Sequence, residues 1–92
     1  WRAMAENTFN LDVITPEKTV YTNEVTAILA HGTSGYLGVL AHHCPLVTTL
    51  EPGPFKITEP GDKEVNFSME RGFIEVRKNS VVVLADAVDE ES

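Results

Sequence analysis

The sequence predicts an all-β fold, a single antiparallel β-sandwich of about eight to ten short strands. Three observations carry this. Apolar residues recur with a period close to two, the alternation of a half-buried strand. Turn residues fall roughly every 8–12 positions, the rhythm of a sandwich or barrel. All five prolines, Pro16, Pro45, Pro52, Pro54 and Pro60, stand at strand ends or turns, where a missing N–H breaks no ladder. With 92 residues, 42% of them hydrophobic and 23% charged, the chain has room for one domain and one modest core. Burial of roughly 60–65% of the unfolded surface is expected at this size, which leaves no space for a deep reaction chamber. No internal repeat, low-complexity segment or heptad pattern interrupts it.

Taken in order, Phe9, Leu11 and Val13 alternate with Asn10 and Asp12 and form the first strand. Glu24 to His31 is a strand whose alternation is broken by Val25 and Ile28, three apart, which predicts a β-bulge. Phe55 and Ile57 alternate with Lys56 and Thr58, and Val65, Phe67 and Met69 with Asn66 and Ser68. Between them Glu59-Pro60-Gly61-Asp62 fits a type II turn, since proline suits its second position and only glycine enters positive φ freely at its third. Gly72 opens a strand with Ile74 and Val76 on one face and Phe73, Glu75 and Arg77 on the other; Lys78-Asn79 turns the chain, and Val81 to Leu84 returns. That return strand is apolar on both faces, so one face fills the core and the other needs a cover. Phe73 poses the same question.

Charge excludes several functions. The net charge is −7, from 14 acids against 7 bases; four acids, Asp86, Asp89, Glu90 and Glu91, crowd the last seven residues, leaving 10 against 7, or −3, over residues 1–85. No basic patch exists to neutralise phosphates or hold anionic lipid, so no nucleic-acid partner is expected. The longest apolar run, Val81 to Ala85, is five residues where a spanning helix needs about 20, so the sequence reads as soluble, with no direct membrane insertion. Trp1-Arg2-Ala3-Met4-Ala5 lacks the apolar stretch of a signal peptide, and Met4 reads as a start behind non-native residues. The single cysteine, Cys44, can form no internal disulfide and suits a reducing compartment.

The densest reactive group is His42-His43-Cys44. A structural zinc site draws four ligands from two spaced pairs, and only His31 remains to add, so no metal is expected. Adjacent residues seldom place sulfur and imidazole in register for nucleophilic catalysis, and Pro45 holds Cys44 extended; a buried, inert thiol is the simpler reading. Neither G-x-x-x-x-G-K-[ST] nor G-x-G-x-x-G occurs, so no phosphate cradle and no cofactor is expected. The carboxylate pairs Glu17/Glu24 and Glu64/Glu70 lie at turns or on polar strand faces and read as solvated charge. No enzyme emerges.

The stretch Gly35-Tyr36-Leu37-Gly38-Val39-Leu40-Ala41-His42-His43-Cys44-Pro45-Leu46-Val47-Thr48 resembles the epsilon subunit of F-type ATP synthase, whose signature there is roughly G-x-L-G-[IV]-L-P-G-H-A-P-L-[LV]-[TA]. Phe9-Asn10-Leu11-Asp12-Val13-Ile14-Thr15-Pro16, Gly72-Phe73-Ile74-Glu75-Val76 and Val81-Val82-Val83-Leu84-Ala85-Asp86-Ala87 follow in family order, and together the blocks cover about residues 8–88. The resemblance implies the family's N-terminal β-sandwich. It implies a non-catalytic central-stalk subunit linking the gamma subunit to the c-ring and coupling proton-driven rotation to ATP synthesis. It also implies a peripheral place on the energy-transducing membrane, on the cytoplasmic side in a bacterium. Residues 1–7 are expected to be the non-native residues and a disordered N-terminus, 8–88 the sandwich and 89–92 an acidic tail, disordered or frayed. The sequence stops short of the family's C-terminal helical hairpin, so inhibition and ATP sensing do not carry over and no tight nucleotide binding is expected.

Carried over by residue, the resemblance assigns the loop Gly35 to His43 to the c-ring, through Gly35, Tyr36, Leu37, Gly38, His42 and His43, with Tyr36 and His43 the foremost contacts. The competing reading is that the glycines shape the loop and His43 bonds within it. Ala41-His42 replaces the usual Pro-Gly, Cys44 replaces alanine, and Tyr36 stands where an acidic or amide residue is common. Phe73, Val81, Val82 and Val83 are assigned to a gamma-facing patch, with Phe73, Val81 and Val83 foremost, against ordinary sandwich packing for each valine. A reading of a different class, a free-standing β-sandwich that binds a ligand or peptide, is separated from the first by co-purification with a gamma-like chain.

Overall fold

The computed structural model describes residues 7–33, 35–41 and 44–91. Ten strands run in the order β1 (Phe9–Ile14), β2 (Thr19–Val25), β3 (Ala27–Gly32), β4 (Gly35–Leu40), β5 (Leu46–Leu50), β6 (Gly53–Glu59), β7 (Lys63–Met69), β8 (Gly72–Val76), β9 (Ser80–Ala85) and β10 (Val88–Glu91). No helix occurs among the described residues. The strands follow the path β10-β7-β6-β3-β5-β8-β9-β1-β2, with β4 on the other edge of β3. The sheet folds over itself at β3 and gives two layers. Along β3, Ala27 to Leu29 pair with β6, whereas Gly32 pairs with Leu50 of β5. The join is reinforced where the Glu51 N–H donates to the His31 carbonyl at 2.8 Å.

Alternation fills the core as the sequence predicts. Leu11 and Val13 of β1, Phe55 and Ile57 of β6, Phe67 and Met69 of β7, and Ile74 and Val76 of β8 all point inward and are buried. Every buried side chain among the described residues is apolar, so the interior holds no charge in need of a partner. The β6–β7 turn also matches: Gly61 takes φ +84° after Pro60, and Asp62 follows at φ +63°.

Three features differ from the sequence reading. The break at Val25 and Ile28 is a corner rather than a bulge: β2 ends at Val25, the chain crosses between layers at Thr26, and β3 starts at Ala27. The Thr26 N–H donates to the Thr58 carbonyl at 2.8 Å, and its hydroxyl to the same oxygen at 3.1 Å, so both apolar side chains reach one core from different layers. The register shift that does occur lies in the β1–β2 ladder, between Val13 and Ile14. Second, the pairings among the described residues are antiparallel except that of β1 with β9, which is parallel. Third, the segment from Asp89, expected to fray, continues β10 and pairs with β7, Asp89 opposite Ser68 and Glu91 opposite Asn66. Backbone bonds to β7 hold it, and Val88 packs on the core and anchors the strand's start.

Away from the β3 fold the layers are clasped by Tyr21. Its ring meets that of Phe67 edge-on, with centroids 5.7 Å apart. Its hydroxyl donates a short hydrogen bond to Glu59 Oε2, to which Asn23 Nδ2 also donates at 3.1 Å. Burial, together with the bond to Glu59, pushes the Tyr21 phenol up to about 12, and the bond from Tyr21 holds the Glu59 carboxyl below its usual range.

Two expectations follow from this packing. The unfolded phenol loses its proton near 10 and the folded one near 12, so the protonated clasp contributes fully below pH 10 and its contribution fades as pH rises towards 12. The Glu59 shift has the opposite sign: its contribution is fully present above the ordinary carboxylate value and is lost as pH falls below it, through the lowered folded value. Tyr21→Phe should therefore lower stability near neutral pH by about 1 kcal/mol and abolish the alkaline loss between pH 10 and 12, as read by urea midpoints across pH. Gly72 gives the second expectation, because a Cβ there would lie 2.2 Å from the Leu84 carbonyl oxygen, a backbone atom. Gly72→Ala should cost roughly 3 kcal/mol or more, lowering the thermal midpoint by at least about 10 °C in calorimetry.

Candidate partner-binding surfaces

The residues assigned to the ring do not form a loop throughout. Gly35 to Leu40 is β4, which pairs along its whole length with β3, from Gly32 opposite Gly35 to Ala27 opposite Leu40. Two positions in sequence lie between the paired residues Gly32 and Gly35, the spacing of a tight hairpin. Gly35 at φ +119° adopts a backbone conformation that glycine favours. Alternation then divides the strand. Leu37, half-buried, packs against the core and Val39 is buried. Tyr36, 68% exposed, Gly38 and Leu40 line the outer face. Leu29 of β3, opposite Gly38, is exposed beside them. His42 and His43 lie outside the described residues. Cys44, expected to be buried, is exposed at its position just ahead of Pro45 and β5.

The gamma-facing assignment divides in the same way. Val81 and Val83 are 1% and 0% exposed and point into the core, so they are packing residues and are withdrawn from any contact surface. Phe73 faces out, 53% exposed, paired across the β8–β9 ladder with Leu84, 50% exposed. Val47 on the neighbouring β5 is exposed on the same face. Phe73 and Leu84 border an open groove of about 480 Å³ shared with Ile14, Pro16 and Thr49. The exposed large apolar side chains thus fall into two groups: Leu29, Tyr36 and Leu40 on the β3–β4 layer, and Val47, Phe73 and Leu84 on the β5–β8–β9 layer. Sequence reasoning missed Leu29, Leu40, Val47 and Leu84. The signal for Leu29 and Leu40 was present, because placing Ile28, Ala30 and Val39 inside turns their neighbours outward. For Val47 it was weaker, as Leu46 and Val47 are both apolar and alternation alone cannot choose between them.

The two faces, each carrying exposed apolar side chains over a core that is apolar among the described residues, define a β-sandwich module. Residues 8–91 match the family described as ATP synthase, Delta/Epsilon chain, beta-sandwich domain, and the chain belongs to that family. It is 43% identical over 83 residues to an ATP synthase epsilon chain of Leptospira borgpetersenii, covering 90% of this chain and 65% of that one. It is 39% identical over 79 residues to that of Brevibacillus brevis, covering 86% and 60%. The chain therefore spans under two thirds of the length of these relatives. Among solved structures, the fold matches a chain of the Euglena gracilis mitochondrial ATP synthase OSCP/F1/c-ring structure with a TM-score of 0.87 at 22% identity, covering 98% of this chain and 57% of that one. A chain of the Tetrahymena thermophila mitochondrial ATP synthase central stalk/c-ring structure matches with a TM-score of 0.74 at 20% identity, covering 92% and 68%.

The inward and outward residues of β9 should respond oppositely to substitution. Val83→Ala should cost roughly 2 kcal/mol through the cavity it opens, whereas Leu84→Ser should shift stability by less than about 0.5 kcal/mol. Chemical denaturation of the two variants measures both; equal losses would place Leu84 in the core.

Proposed function

We propose that this chain is a non-catalytic central-stalk subunit of an F-type ATP synthase, joining the gamma subunit to the c-ring so that proton-driven rotation is coupled to ATP synthesis. One observation supports this above the rest. In a chain that aligns with ATP synthase epsilon chains over most of its length, two exposed apolar groups lie on different layers of one sandwich. A part that transmits torque needs two attachment surfaces and a stiff body between them. Here the body is a hydrogen-bonded sheet folded over a close-packed interior, which resists deformation.

In this reading the β3–β4 hairpin meets the c-ring through Tyr36, Gly38 and the His42-His43 segment, and the β5–β8–β9 face meets gamma through Phe73, Leu84 and Val47. The subunit sits peripherally on the energy-transducing membrane, on the cytoplasmic side in a bacterium, and binds neither nucleotide tightly nor any cofactor. Tyr36 projects from a paired strand, so changing it tests contact separately from folding.

Tyr36→Asp and His43→Asp should leave the melting temperature of the isolated chain near normal, since surface changes away from packing usually alter stability by less than about 0.5 kcal/mol. A contact at the centre of an interface costs about 2 kcal/mol of binding or more, roughly thirtyfold in affinity. Assembly and ATP-driven proton pumping after reconstitution should therefore fall. Unchanged pumping with both variants would move the ring contact elsewhere, and a large drop in melting would make these residues structural.

A further inference from the structure

We propose that His31 is a positioning residue that holds Tyr36 in one outward orientation, with Gly53 providing the space in which His31 sits. His31 and Tyr36 are directly opposite in the β3–β4 ladder, and their rings stack with centroids 5.4 Å apart and planes at 27°. Little else on its own strand restrains Tyr36. Gly35 precedes it, and the next residue on the same face is Gly38, around whose would-be Cβ nothing lies within 4 Å. An exposed aromatic side chain with such neighbours would otherwise be free to exchange among its staggered χ1 wells. The imidazole is the wall that selects one of them.

His31 is itself fixed from two sides. Its carbonyl accepts the Glu51 N–H at 2.8 Å, at the join between the layers. Its ring lies over Gly53, the first residue of β6, where a Cβ would stand only 3.1 Å from Nδ1. A side chain at position 53 would press the imidazole towards Tyr36 or out of the stack, and φ +154° there further favours glycine. Orientation thus passes from the sheet join, through His31, to the ring of Tyr36. An aromatic group set in place before binding loses less rotamer freedom on docking. The advantage expected from one ordered side chain is about two- to tenfold in affinity. That consequence rests on the reading of Tyr36 as a partner contact; the positioning itself does not.

The test is nuclear magnetic resonance on the 92-residue chain with the variants His31→Ala, His31→Phe and Tyr36→Leu. The inference expects Tyr36 in the unaltered chain to show Hα–Hβ couplings of one dominant χ1 rotamer. His31→Ala should average those couplings without lowering the melting temperature, and His31→Phe should restore them. Tyr36→Leu should remove a ring-current shift from the His31 imidazole protons, a readout that survives even if His31→Ala folds poorly. Averaged couplings in the unaltered chain, couplings unmoved by His31→Ala, or imidazole shifts unmoved by Tyr36→Leu would each overturn the inference. Assembly with the stalk and ring then separates the two readings. If His31→Ala releases Tyr36 and weakens assembly two- to tenfold, both stand; if it releases Tyr36 while assembly is untouched by His31→Ala and by Tyr36→Asp, positioning stands and the contact reading falls.

Discussion

A chain of this size has apolar surface for one core only, and it closes that core by letting a single strand serve both layers. On one edge β3 pairs with β4 along its length; on the other it passes from β6 to β5 within six residues. Unless β3 changed partners, the β6–β7 and β8–β9 regions would be separate ribbons with one apolar face each, and small isolated ribbons are marginal in water. The corner at Thr26 and the join at His31 and Glu51 are therefore requirements of the same closure. So is the Tyr21 clasp, which ties β2, the last strand of one layer, to β6 and β7 of the other.

That closure also explains why the molecule's distinctive chemistry is on its outside. With the interior apolar among the described residues, polar groups are spent on ladders, corners and the surface. The exposed apolar side chains sit on paired strands instead of mobile excursions, so their spacing is set by the ladder. Phe73 and Leu84 are neighbours because β8 and β9 pair in one register, and Tyr36 stands beside His31 because β3 and β4 do. The proposed role of passing force between partners needs this coupling of surface to frame, whereas a catalytic centre needs converging polar groups in a partly enclosed site.

Much of this was legible in the sequence, and the misreadings have particular causes. Alternation placed Leu11, Phe55, Phe67 and Ile74 inside and Phe73 outside, and the Pro60-Gly61 pair located its turn, because those segments each stay in one layer. Val25 and Ile28 were misread because a change of layer and a bulge both break a period of two. The resemblance assigned Gly35 to His43 to a loop, yet the ladder to β3 orders Gly35 to Leu40 as a strand despite the weak strand propensity of its glycines. Val81 and Val83 were indistinguishable from Val82 by composition, and only pairing with β1 and β8 fixes which face is inside. Cys44 was expected to be buried from its type, but its place between β4 and β5 decides its exposure. The stack of His31 on Tyr36 had no sequence signal, as the two meet only through the hairpin register.

β10 carries a consequence beyond the fold. It is the last strand of its layer, with no strand paired to its far side among the described residues, and an uncovered edge is a template for pairing with another chain. Its sequence, Val-Asp-Glu-Glu, makes that edge strongly acidic. Two such strands brought together would set like charge against like charge, which repels. The acidic sequence of β10 thus disfavours edge-to-edge pairing of one copy with the next.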